Sequence, residues 1–597
     1  MTVQLTNREV GKSSTGPAPR NWLVLLFVLA ATFLAYARTL GFGFVHDDFV
    51  FLVNNPAIHS WSYLPQYFTA SVWEGIYPGV PGNYYRPVFL IWMRLQDALF
   101  GGQAGLWHLT TVATHLLTTM LAYYLALRIL QDRYAATVAA LIFGLHPIHI
   151  EAVAWVSGVT EPLVGAFFIG GFLCYLKMRD GGGKARMWLA AALILYIVGL
   201  LEKETAILLP AIICAYEWIY SDAQNEGSLW SVGRARLLKA IRAAAPFFLV
   251  TVPYLIVRII VLKGFSHPAT RLSLGEIVFT WPSLTWFWIR HLAAPVGLGT
   301  FYNLRTVEHP GWQNFLIPLI GTIVVGGLLF WGARRSRVMA FSAAWVIVPL
   351  LPFFDLRMFN HNNFAQDRFL YLPSLGVALI AARAFRKLPF GATKFLGFGA
   401  TRALCMVGLA ALLGLGTWRQ SFYFKNNLAF YRYNYFLSPG NAYAANDYGV
   451  MLELLGMKQD AVKVLEQAVA DDPGYRSAAY NLGRLYYEQG RLDASREYLL
   501  KAIAMDPSQS QSYYCLGLTE LEARHLGEAE KAFRTALKLN PHGKEYHYQL
   551  GLALEAQGDT QGALEEYQAE LAGNPTHPYA RQRTRAIEDL IGRAEER

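Results

Sequence analysis

Long apolar runs broken by short polar stretches fill the first 420 residues, and a shorter amphipathic pattern of fixed period replaces them afterwards. Runs at 22–38, 106–127, 134–148, 150–176, 187–201, 204–220, 244–262, 313–332, 338–353, 370–386 and 401–417 predict about eleven crossings of a bilayer. Two more apolar stretches, 87–100 and 279–298, are interrupted by Arg94 and Asp97 and by Arg290 and His291. Charges at those places predict interfacial or re-entrant helices rather than crossings.

With residue 1 inside, the loops on the inner side carry Arg128 and Arg133; Lys177, Arg179, Lys184 and Arg186; Arg234, Arg236, Lys239 and Arg242; Arg334, Arg335 and Arg337; and Arg383, Arg386, Lys387 and Lys394. All five are basic, which is the pattern that sets orientation in membrane proteins. Counting either interrupted stretch as a crossing would invert every later loop. The C-terminal tail then falls outside the cytoplasm.

That tail is periodic. Pro439, Pro473, Pro507, Pro541 and Pro575 recur every 34 residues, as do Gly449, Gly483, Gly517 and Gly551. Leu516, Gly517, Ala529, Phe533, Ala536 and Pro541 in one unit, and Leu550, Gly551, Ala563, Tyr567 and Pro575 in the next, fit tetratricopeptide repeats. The predicted organisation is a disordered cytoplasmic tail at 1–20 and a membrane domain at 21–420, whose first outer loop with interfacial helices spans 40–105. A connector follows at 421–440, then four repeats at 441–576 and a capping helix at 577–597. The fold class is all-α: a polytopic helical membrane domain followed by an α-solenoid.

Composition agrees with this division. Of 597 residues 54% are hydrophobic and only 16% are charged, which excludes a single soluble domain. The net charge of +10 sits in loops that orient the chain, so no nucleic acid is called for. Cys174, Cys214, Cys405 and Cys515 are too scattered for a disulfide framework or a zinc site. No Walker loop, dinucleotide fingerprint, nucleophile elbow or zinc-protease helix occurs.

Polar residues with no role in orientation gather on the outer side. They are Asp47, Asp48, Asn54, Asn55 and Arg86 in the first loop; His146, His149 and Glu151 in the second; Glu202, Lys203 and Glu204 in the third; and Arg271, His291, Asp367 and Arg368 in later loops. Paired carboxylates beside a membrane are costly unless used, and mutual repulsion poises one of them to take a proton. Helix capping would also explain the aspartates, and snorkelling at helix ends would explain the arginines. His146-Pro147-Ile148-His149 is a poor metal motif because proline splits it, but it supplies hydrogen-bonding groups to a phosphate or sugar. No metal site and no required cofactor is predicted, although the carboxylates leave room for a divalent ion.

Phe44-Val45-His46-Asp47-Asp48, Asn54-Asn55 and Tyr85-Arg86-Pro87 resemble the first outer loop of the transmembrane and tetratricopeptide repeat-containing O-mannosyltransferases. Leu145-His146-Pro147-Ile148-His149-Ile150-Glu151-Ala152-Val153, Glu202-Lys203-Glu204-Thr205 and Asp367-Arg368-Phe369-Leu370-Tyr371-Leu372-Pro373-Ser374 resemble later motifs in the same order. The resemblance implies a GT-C glycosyltransferase that passes a mannose-like sugar from a polyprenyl phosphate to an acceptor hydroxyl, Ser or Thr of a protein, with inversion. It implies that Asp47 is the general base and Asp48 its support, and that Arg86, Lys203 and Arg368 stabilise the leaving phosphate. His146, His149, Glu151, Glu204 and Asp367 complete the donor site. Partners would be the lipid-linked sugar, membrane lipid and an acceptor protein or peptide held by the repeats. Short inner loops and few outer cysteines suit a bacterial inner membrane with a periplasmic tail. Two alternatives stand beside this: a non-catalytic envelope assembly factor, and a glycan ligase using a lipid diphosphate, for which residues 264 to 310 would matter and Asp47 would not.

Overall fold

The computed structural model describes residues 21–76, 82–221, 229–268, 270–360, 363–386 and 400–595. The tail expected at 1–20 lies outside the described residues. The chain divides into two compact units, Met1–Phe430 and Tyr431–Arg597. Among the described residues every regular element is helical.

Among the described residues of the first unit nine helices are long and apolar enough to cross a membrane: Trp22–Gly41, Ala104–Leu130, Val156–Arg179, Ala185–Glu202, Val232–Leu262, Trp312–Arg335, Arg337–Phe354, Asp367–Arg386 and Thr401–Lys425. A bent pair, Arg133–Leu145 with Pro147–Val153, makes ten, and its 44° bend falls at Pro147, which cannot continue a helix. Of the eleven expected runs, 204–220 is the remaining one. It forms a 3-10 turn, Glu204–Leu208, and a helix of 12 residues, Leu209–Tyr220. The run expected at 150–176 is not continuous either. It breaks after Val153 and resumes through a 3-10 turn, Val156–Val159, before the helix Thr160–Arg179. The two interrupted stretches form helices Pro87–Phe100 and Leu274–Ala293, neither of which qualifies as a span.

Side-chain pairs sort the helix ends into two groups. Arg128 at the end of Ala104–Leu130 pairs with Asp180 at the end of Val156–Arg179, and Arg386 pairs with Asp132 at 3.4 Å. Arg179 reaches Glu217 at 2.5 Å, and Arg402 lies 5.0 Å over the Tyr134 ring. These basic termini share one end of the bundle. At the other end Lys203 pairs with Glu161, Arg38 donates to the Trp418 carbonyl at 2.8 Å, and His146 meets the Leu292 carbonyl at 3.2 Å. All ten candidate site residues belong to this second end.

The second unit contains four helix pairs: Ala442–Leu454 with Lys458–Asp471, Arg476–Glu488 with Leu492–Met505, Ser510–Glu522 with Leu526–Leu539, and Tyr546–Gln557 with Thr560–Gly573, followed by Pro578–Glu595. The glycine period has a packing cause. A Cβ at Gly517 would sit 2.5 Å from the Phe533 ring, and one at Gly551 would sit 2.5 Å from Tyr567, so the two helices of each pair approach as only glycine allows. Phe533, Leu550, Tyr567 and Ile587 then form one core that runs from repeat to repeat.

Candidate active site

Asp47 and Asp48 follow His46, whose backbone is left-handed at φ 51°, an uncommon state for a residue with a side chain. The turn is held on both sides. The His46 amide donates to Asn427 Oδ1 at 2.8 Å, and the Asp48 carboxylate faces inward. Asp48 is fully buried: Oδ2 accepts from the Val45 amide at 3.0 Å, and Oδ1 from the Ser157 amide at 2.8 Å and the Ser157 hydroxyl at 2.5 Å. Burial lifts its pKa to about 6, against the pull of the Ser157 and Val45 donors. Asp47 differs in every respect. Its side chain is 34% exposed and lies beside His46 Nε2 at 3.5 Å.

The turn 155–159 faces this loop. Its tightness depends on Gly158, where a Cβ would lie 2.4 Å from the Glu151 carbonyl oxygen. The His46 ring lies 5.8 Å from the Trp155 indole, and the Arg368 guanidinium lies 5.2 Å from that same indole. Glu151, buried, accepts from the Arg368 amide at 2.9 Å and stands 3.7 Å from its guanidinium. Arg368 keeps 25% of its side chain exposed. Trp155 thus lies between the His46 ring, which Asp47 adjoins, and Arg368, which Glu151 holds.

Arg86 and Lys203 are more committed. Arg86 forks onto Glu204 with bonds of 3.1 and 2.5 Å and stacks 4.4 Å from the Tyr84 ring. Burial alone would raise the Glu204 pKa, but the guanidinium outweighs it and holds the carboxyl down at about 2. Lys203 pairs with Glu161, and each side chain is only 5% exposed. Burial lowers the lysine pKa and Glu161 opposes the shift. Glu202 is fully buried in the same place, with neither carboxyl oxygen hydrogen-bonded.

Both histidines are buried and tied. His146 Nδ1 accepts from the Ile148 amide at 3.2 Å, so Nε2 carries the proton given to the Leu292 carbonyl. His149 Nε2 meets the Ser374 hydroxyl at 2.8 Å. Asp367, buried, accepts from the Tyr302 hydroxyl and from the Gly299 amide at 3.2 Å. The loop after Leu274–Ala293 therefore reaches the site, where Phe301 also lies 5.7 Å from the His46 ring.

Sequence reasoning named the ten residues but missed what connects them: Trp155, Ser157, Glu161 and Tyr302. One signal was available. Ser157, Gly158, Thr160 and Glu161 are polar or small and precede Pro162, an odd composition for the middle of a span. Nothing in the local pattern singles out Tyr302.

The tetratricopeptide repeat family matches residues 455–510 and 514–578. Over 472 residues, 76% of this chain, the sequence is 26% identical to the protein O-mannosyl-transferase F38B6.6 of Caenorhabditis elegans, of which 63% is covered. It is 24% identical over 515 residues, 80% of this chain, to the protein O-mannosyl-transferase TMTC3 of Mus musculus, of which 54% is covered. A shorter stretch of 194 residues, 30% of this chain, is 35% identical to the protein O-mannosyl-transferase Tmtc2 of Drosophila melanogaster, of which 20% is covered. The chain spans between about half and two thirds of the length of the first two relatives. It is a multi-pass, repeat-bearing chain similar to the TMTC O-mannosyl-transferases over most of its own length.

Proposed function

We propose that this protein is an inverting membrane glycosyltransferase that moves a mannose-like sugar from a polyprenyl phosphate to a hydroxyl, Ser or Thr of a protein acceptor, on the extracytoplasmic side. The observation that carries the reading is that a part-exposed acid and a part-exposed cation converge on one indole, Asp47 by way of the His46 ring and Arg368 directly. In the step, Asp47 takes the acceptor's proton while the acceptor oxygen bonds to the anomeric carbon. The bond from that carbon to the phosphate oxygen breaks, and its electron pair leaves with the lipid phosphate. Arg368 meets the added negative charge, where an electrostatic contact is worth most to the transition state. Arg86 and Lys203, already paired with acids, add their field and hold the floor of the site. Glu151 orients Arg368 and Glu204 orients Arg86, Asp367 holds the loop of Gly299 and Tyr302 against the donor site, and His146 and His149 support the turn between the spans. A phosphate leaves without a strong general acid, unlike the alcohol of a glycoside.

The names of the relatives support a sugar donor and a protein acceptor, and the repeats suit binding of the acceptor along their surface. The bacterial inner membrane and a repeat unit in the periplasm complete the proposal. Purified protein in lipid nanodiscs, given polyprenyl-phosphate mannose and a Ser/Thr-rich peptide, should add one hexose to the peptide, read by mass spectrometry. A peptide that never gains mass with any polyprenyl-phosphate sugar, and does with a lipid-diphosphate glycan, would move the protein to the ligase class.

A further inference from the structure

We infer that Ser157 is a positioning residue for the transfer, acting through Asp48 to fix Asp47 relative to Arg368; the inference rests on the transferase reading above. Asp48 is in no position to meet an acceptor. Its buried oxygens are filled by three donors, and the Ser157 hydroxyl is the one side-chain donor among them. The carboxylate therefore clamps the base loop to the turn 155–159. Two residues before Ser157, Trp155 carries Arg368; one residue after it, Gly158 sits against the Glu151 backbone, and Glu151 holds Arg368 in turn. The clamp thus sets the spacing between the acid that takes the proton and the cation that receives the phosphate.

The loop has a reason to need a clamp. His46, with its left-handed backbone, stores strain that its surroundings must hold, and Asp47 follows it directly. Without the Ser157 hydroxyl, one of the bonds opposing that strain is gone. Misplacement of a reacting group by a fraction of an ångström lowers turnover more than donor binding.

The clamp also depends on charge, because every partner of Asp48 is a donor and a protonated carboxyl would point a hydrogen at one of them. The other ionisable groups on the elements packed around it include His46 and Asp47 on its own loop, Glu151 and Arg368 against the turn 155–159, Glu161 beyond the turn, and His108, which contacts the Gly43 carbonyl at 3.3 Å. The Ser157 bond lowers the Asp48 pKa, so its loss raises it. The acid limb of the rate profile must then move to higher pH.

Single-turnover release of polyprenyl phosphate from polyprenyl-phosphate mannose in the presence of a Ser/Thr-rich acceptor peptide, measured between pH 5 and 8, tests this with wild type, Ser157→Ala, Ser157→Thr and Asp47→Asn. Ser157→Ala should lose roughly tenfold in rate with the donor concentration at half-saturation unchanged, and its acid limb should rise by about one pH unit. Ser157→Thr, which keeps the hydroxyl, should restore both. If Ser157→Ala does not fold, Ser157→Cys, a weaker donor of similar size, should show the same shift in part. An active wild type with Ser157→Ala and Ser157→Cys indistinguishable from it, while Asp47→Asn is dead, overturns the inference alone. A wild type that releases no lipid phosphate from any polyprenyl-phosphate sugar overturns the transferase reading and the inference with it.

Discussion

Asp47 and Asp48 are neighbours of identical chemistry, and only their surroundings separate them. Asp47 is exposed beside an imidazole; Asp48 is enclosed by donors. Asp47→Asn should leave the fold intact and cost transfer roughly 100-fold to 10,000-fold, as removal of a general base does, checked by rate beside melting temperature. The two arginines divide similarly. Arg368→Ala should lower the rate with little loss of stability, whereas Arg86→Ala leaves Glu204 without its fork and should lower the melting temperature first. pH should act on two acids in opposite senses. Glu204 has a folded pKa of about 2 against an ordinary 4.5, so its contribution to stability is full above 4.5 and is lost as pH falls through 2. Asp48 has a folded pKa of about 6 against 3.8, so the fold binds its proton more tightly and raising pH through that window lowers stability. Unfolding curves recorded from pH 3 to 8 on Asp48→Asn and wild type should converge toward the acid end and separate above 6. The chemistry-bearing residues were legible because charges beside a bilayer are rare and need a reason. Their partners were not, because Ser157 meets Asp48 across 109 residues and Tyr302 meets Asp367 across 65, contacts that leave no local pattern.

At the scale of elements, the sequence is most transparent where one contact repeats. The 34-residue recurrence of glycine reports the close approach of two helices, and Gly517→Val should overpack Phe533 at a cost of about 1–3 kcal/mol, read as a lower unfolding midpoint of the repeats. Membrane helices carry a weaker signal. Hydropathy counts apolar residues and does not see a turn inside a run, which is why 150–176 reads as one span although the chain turns at Ala154 to Val159. That turn brings Glu161 to the start of one helix and opposite Lys203 at the end of another, Ala185–Glu202. Breaking this buried pair by Glu161→Gln strands the ammonium and should cost about 3–5 kcal/mol, while Glu161→Leu with Lys203→Met should recover most of it. Melting temperatures of the single and double variants decide the point.

Over the whole molecule, charge and chemistry separate. Basic helix termini with Arg128, Arg179, Arg386 and Arg402 gather at one end of the membrane unit, and the candidate site lies at the other. On the proposed orientation, with these basic termini in the cytoplasm and the run 204–220 counted as a crossing, an alkaline phosphatase fused after residue 597 should be active and one fused in the 177–186 loop should not. On that proposal a lipid-linked sugar would reach the site from the outer leaflet. The most direct test of the account is the amount of free polyprenyl phosphate released per mole of protein from polyprenyl-phosphate mannose in the presence of a hydroxyl acceptor. The account predicts release matched one for one by glycosylated acceptor with wild type and near-zero release with folded Asp47→Asn. Equal release by the two proteins would contradict it.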